Sequence, residues 1–78
     1  MAQLILYKTK GYDTTYLTSC IIKFCEHAPD QAEQCATIVN GRGNYVVKSA
    51  DLYTIEEIAF LFENVGLVTK VVDNGPEW

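Results

Sequence analysis

The sequence predicts a small α+β domain with the element order β-α-α-β-α-β, a two-layer sandwich in which three helices cover one face of a three-stranded sheet. Three observations lead there. The stretch Asp51 to Val72 reads as helix, stop and strand; two further apolar stripes at helical spacing flank Pro29; and short strand-like runs stand at Leu4–Thr9 and Tyr45–Lys48. A chain of 78 residues buries only about 60% of the surface that its unfolded form exposes, which leaves room for one core. Residues 1–72 are therefore expected to form a single domain, with a flexible polar tail over 73–78.

The first strand, Leu4–Thr9, runs from apolar into polar residues and ends at Lys10-Gly11. Asp13, Thr14 or Thr15 can cap the next helix, whose Leu17, Cys20, Ile21, Phe24 and Cys25 recur at i, i+3, i+4, i+7 and i+8. That helix must finish before Pro29, because the residue ahead of a proline is pushed out of the helical region. Pro29 suits the first turn of a second helix, with Asp30 near the positive end of its dipole and Ala32, Cys35, Ala36 and Val39 along its apolar side. Gly41 is expected to terminate it, and Gly41-Arg42-Gly43-Asn44 to form the loop into the second strand, Tyr45–Lys48.

In the third helix Thr54 and Glu57 read as a capping box, the hydroxyl taking an N–H of the first turn while the carboxylate reaches back to the cap. Ile55, Ile58, Ala59, Phe62 and Val65 form its stripe, Gly66 can adopt the left-handed conformation that closes it, and Leu67–Val72 follows as a β-branched strand. Each large stripe residue contributes roughly 1.5–3 kcal/mol when buried, whereas fixing each residue of backbone costs roughly 1–2 kcal/mol. The helix therefore needs a sheet and other helices to pack on, and Phe24, Ile58 and Phe62 are expected to share one core.

Hydrophobic residues make up 49% of the chain, which argues against disorder, yet no apolar run approaches the roughly 18 residues of a membrane helix. Met1-Ala2-Gln3 leads into the first strand without the basic start and long apolar core of a secretory signal, so a soluble, cytoplasmic protein is expected. A net charge of −4 and a pI of about 4.7 offer no electrostatic footprint for DNA or RNA. Neither nucleic acid nor membrane is an expected partner. Cys20, Cys25 and Cys35 fall at apolar or small-residue positions of helices and read as reduced core thiols, since Cys20 and Cys25 lack zinc-like spacing and only His27 stands near. Cys25 and His27, two apart on a helix, would point to different faces and do not suit a nucleophile and base. No cofactor, metal or enzymatic activity is expected.

Three segments carry a resemblance. Leu-Ile-Leu-Tyr followed by Asp-Thr-Thr-Tyr forms a strand and a helix start, Gln-Ala-Glu-Gln-Cys-Ala-Thr-Ile-Val-Asn-Gly-Arg-Gly a second helix and its turn, and Thr54 to Val65 with Gly66 a third helix before the closing strand. Together they cover residues 4–72, and the series resembles the fold shared by the ClpS adaptor of the Clp protease and the C-terminal domain of the ribosomal stalk protein. The resemblance implies a recognition cleft in which Thr14 matches the adaptor's threonine, Val39 its valine, and Tyr16 stands at the place of the gating methionine. Lys10-Gly11 replaces the Asn-Asp that holds a substrate's charged amino terminus, and Asn40 replaces the assisting histidine. A lysine there repels an α-ammonium and removes a charge-assisted hydrogen bond worth about 1.5–3 kcal/mol. The stalk domain's basic helix has no counterpart, since only Lys23 appears in the first two predicted helices.

The functional expectation is a non-enzymatic protein-binding module, a divergent ClpS-like adaptor. Its cleft, between the turn bearing Lys10, Gly11, Tyr12, Thr14 and Tyr16 and the helix end at Val39 and Asn40, would take an internal segment or acidic side chain of a peptide or protein partner. The alternative is a small acidic stand-alone interaction protein, such as a phage-encoded inhibitor of a host complex. It would use the tyrosines at element ends (Tyr7, Tyr12, Tyr16, Tyr45 and Tyr53) and an acidic third helix with Asp51, Glu56, Glu57 and Glu63, opposite a sheet bearing Lys8, Lys10, Lys48 and Lys70.

Overall fold

The computed structural model describes residues 1–73. The elements follow in the expected order: β1 (Ala2–Tyr7), α1 (Thr14–Cys25), α2 (Pro29–Arg42), β2 (Asn44–Ala50), α3 (Leu52–Asn64) and β3 (Thr69–Asp73). The three strands form one antiparallel sheet in the order β2-β1-β3. No described helix is long and apolar enough to cross a membrane.

The central strand alternates as a half-covered strand must, with Ala2, Leu4 and Leu6 fully buried and Gln3, Ile5 and Tyr7 only partly so. On the covered side the helices deliver the stripes read from the sequence: Leu17, Cys20, Ile21 and Cys25 from α1, Ala32, Cys35, Ala36 and Val39 from α2, and Ile55, Ile58, Ala59 and Phe62 from α3. All belong to one core cluster. Phe24 and Phe62 meet edge to face with ring centroids 5.1 Å apart, in the geometry that sets the positive edge of one ring against the negative face of the other.

Several boundaries differ from the sequence expectation, each for a local reason. The cap of α3 is Asp51, so the helix begins at Leu52. Asp51 accepts the Thr54 N–H through Oδ2 at 3.1 Å and the Thr54 hydroxyl through Oδ1 at 2.7 Å. These bonds hold its carboxyl below the usual value. Thr54 is thus the residue being capped, and the predicted Thr54–Glu57 box does not form. At the end of α2 the stop is Gly43, with φ of 97° and an N–H bonded to the Val39 carbonyl at 2.8 Å; Gly41 remains inside the helix. The Gly43 carbonyl in turn accepts the Lys8 N–H at 2.8 Å, which ties this helix end to the chain leaving β1. At α3 the expected stop holds: Gly66 has φ of 88°, and Leu67 N–H returns to the Phe62 carbonyl at 3.1 Å. That bond keeps Leu67 with the helix end, and β3 begins at Thr69. Asp73 pairs with Ala2 as the last residue of β3 and so does not belong to the predicted tail, while the remaining tail, Trp78 included, lies outside the described residues.

β2 carries a bulge. Pairing steps from Leu4↔Lys48 to Ile5↔Val46, so Val47 is the extra residue. Its side chain is buried, and its carbonyl lies 2.6 Å from His27 Nε2. A carbonyl can only accept, so the hydrogen sits on Nε2. Lys48, opposite the buried Leu4, turns to the helix side and donates from Nζ to the Cys25 carbonyl at 3.1 Å, placing its charge at the negative end of α1.

Removing the ring at the centre of this packing tests the assembly. Phe62→Ala is expected to lower the unfolding free energy by about 3–5 kcal/mol, a large part of the total for a domain of this size. Urea unfolding followed by circular dichroism measures it, and an unchanged midpoint would place Phe62 outside the core.

Candidate functional site

Among the described residues, a feature of the surface that the core does not explain is the outward side of α3. Its inward side is committed through Ile55, Ile58, Ala59 and Phe62, yet Tyr53, Phe60 and Leu61 are 71%, 63% and 40% exposed. With Glu56 and Glu57 they line a shallow groove of about 490 Å³. The five stand at i, i+3, i+4, i+7 and i+8, which is one face of a helix. The sequence marks Tyr53 and the acidic residues as a candidate surface, whereas Phe60 and Leu61 carry no such mark beside the core stripe. Their signal is a second apolar set, seven and eight residues after Tyr53, out of phase with the core stripe.

The structure arranges the predicted cleft differently. Lys10 and Gly11 are exposed at the turn after β1, with Gly11 at φ of 97°, and Asp13 caps α1 by accepting the Tyr16 N–H at 2.8 Å. Tyr12 and Tyr16 stack with centroids 5.1 Å apart, and Thr14 lies between them in sequence as the first residue of α1. These five residues share the turn after β1 and the first turn of α1. The turn leans on α3, because the Tyr12 hydroxyl donates to the Val65 carbonyl at 2.9 Å and sits over Gly66. Asn40 is exposed near the end of α2, but Val39 is fully buried in the core and presents no side-chain surface to a ligand. Val39 is thus a packing residue here.

The thiols are core groups. Cys20, Cys25 and Cys35 are free and buried, and burial pushes the Cys25 thiol up to about 12, with Lys48 only partly opposing it. Burial raises Cys20 and Cys35 as well. Such thiols are protonated and poor nucleophiles at neutral pH. Among the described residues no three His, Cys, Asp or Glu side chains gather as a metal site requires. His27 leaves the helix region after α1 ends and is engaged with Val47, away from any shared task with Cys25.

Two measurements follow. A Cβ on Gly66 would collide with the Tyr12 hydroxyl as well as strain a left-handed backbone. Gly66→Ala should therefore destabilise the native chain more than it does a Tyr12→Phe background, with a coupling of about 0.5–3 kcal/mol in a double-mutant cycle; strict additivity would separate the two groups. For Cys25 the sign follows from its raised pKa. Between the ordinary thiol value of 9.0 and about 12 the unfolded chain loses this proton while the folded chain keeps it, so stability falls as pH rises through that window. Cys25→Ala should flatten this part of the pH dependence of urea unfolding, and an unaltered slope would mean that the thiol ionises equally in both states.

In comparison with known proteins, no family model and no curated protein matches the chain.

Proposed function

We propose that the protein is a non-enzymatic binding module that engages a protein partner through the outward face of α3. The observation that carries the proposal is the exposure of Tyr53, Phe60 and Leu61 on a helix whose opposite side already fills the core. A helix that only covers a sheet carries polar residues on its outer side, and clustered exposed aromatic and aliphatic groups mark sites where another surface removes them from water. Tyrosine and phenylalanine give large contact area with few rotatable bonds, which suits them as anchors. The buried, protonated thiols support binding over nucleophilic chemistry, and they suit a reducing, cytoplasmic setting.

This surface favours the small acidic interaction protein over the divergent ClpS-like adaptor. The adaptor reading keeps one supporting observation, the stacked Tyr12 and Tyr16 beside Thr14 and the exposed Lys10. Burial of Val39 counts against it, because that residue would form the wall of the cleft.

A photoreactive phenylalanine analogue placed at Phe60 in one variant and at Asn40 in another distinguishes the surfaces in the native cell. The proposal expects a protein adduct from the Phe60 position, lost when Tyr53→Ser is added, and none from Asn40. Adducts formed only from Asn40 would return the working surface to the turn and the end of α2.

A further inference from the structure

Resting on that reading, we infer that the segment α3 binds is a basic amphipathic helix, with two apolar anchors about two turns apart and arginine or lysine between them. The outer face of α3 is banded: Tyr53 in the first turn, Glu56 and Glu57 in the middle, Phe60 and Leu61 toward the end. At a rise of 1.5 Å per residue the apolar bands lie about 10.5 Å apart along the axis, the spacing of positions i and i+7 on a partner helix lying alongside. The groove lining contains no cation, and α3 has no lysine or arginine of its own.

This banding selects among occupants. A neutral apolar helix laid along the groove would cover two carboxylates without giving them partners, which is unfavourable. A second copy related by a two-fold axis would bring Glu56 and Glu57 against their own counterparts. Nucleic acid and anionic lipid are repelled by the same charges. A basic helix meets each band with its complement, and an arginine between the anchors can also lie over the face of Tyr53 or Phe60. The anchors supply most of the buried area, and the charges choose the partner and its register.

The test uses the full isotope-labelled chain and three blocked, alanine-based helical peptides. Each carries two leucines about two turns apart, with two arginines, two glutamines or two glutamates between them. The arginine peptide is expected to shift amides over residues 53–61, to bind about fivefold more tightly than the glutamine peptide at low salt, and to lose that advantage at high salt or in a Glu56→Gln, Glu57→Gln variant. The glutamate peptide should bind weakest. Equal binding of the arginine and glutamine peptides at α3 would overturn the charge inference and leave α3 standing as the binding surface. Failure of all three peptides at α3, with the Phe60 crosslink retained, would overturn the helical partner alone; loss of the crosslink as well would overturn the reading on which it rests. Sedimentation of the free protein as a dimer that Phe60→Ser dissociates would assign the face to a second copy.

Discussion

Everything in this fold hangs on β1 being the middle strand. Its backbone is hydrogen-bonded to β2 on one side and β3 on the other, and Ala2, Leu4 and Leu6 form the floor on which the helices sit. Because side chains alternate strictly along a strand, a slip of one residue would turn that floor to solvent and bring Gln3, Ile5 and Tyr7 inward. The bulge at Val47 belongs to the same constraint. It adds one residue to β2 so that Val47 and the stem of Lys48 can both serve the covered side, and His27 bonds the carbonyl of the bulged residue. The chain's one histidine is thereby explained as a structural donor.

The third helix inherits a rigid seat from this arrangement. Its start is fixed by Asp51 and its end by Gly66, and Tyr12 reaches across from the turn after β1 to bond the Val65 carbonyl. A helix held at both ends can present an outer face without the ordering cost that a loop would pay on binding. The two apolar sets of α3 are therefore separate: one builds the domain, and the other is left on its surface in a fixed arrangement.

Much of the fold was legible because periodicity reports burial directly. The stripes of α1, α2 and α3 were readable at helical spacing, and every stripe residue but Phe24 and Val65 is buried, those two being packed at the edge of the core. The errors fall where two residues compete for one local task. Asp51 and Thr54 can both cap a helix, and Gly41 and Gly43 can both end one; the choice is made by contacts distant in sequence, such as Gly43 meeting Lys8. The candidate site was less legible for a related reason. Val39 could be aligned with a pocket wall, but whether a valine lines a cleft or a core depends on what lies above it. Phe60 and Leu61 sit next to core residues in sequence, and an apolar residue beside a stripe reads as part of it until the helix is wound. Lys48 likewise counted toward a basic sheet, whereas its partner across the strand, Leu4, turns it to the end of α1.

The pairing of β1 with β3 also sets a timetable. β1 must wait for β3, since Ala2 finds its partner at Asp73. During synthesis β1 can dock only its β2 edge, once the two intervening helices have emerged, and its other edge stays unsatisfied until β3 has followed α3. Non-local closure of this kind slows folding relative to helical domains of similar length, because the entropy of a long loop is lost before the contact is gained. Until then the open edge of that apolar strand is a template for pairing with another chain.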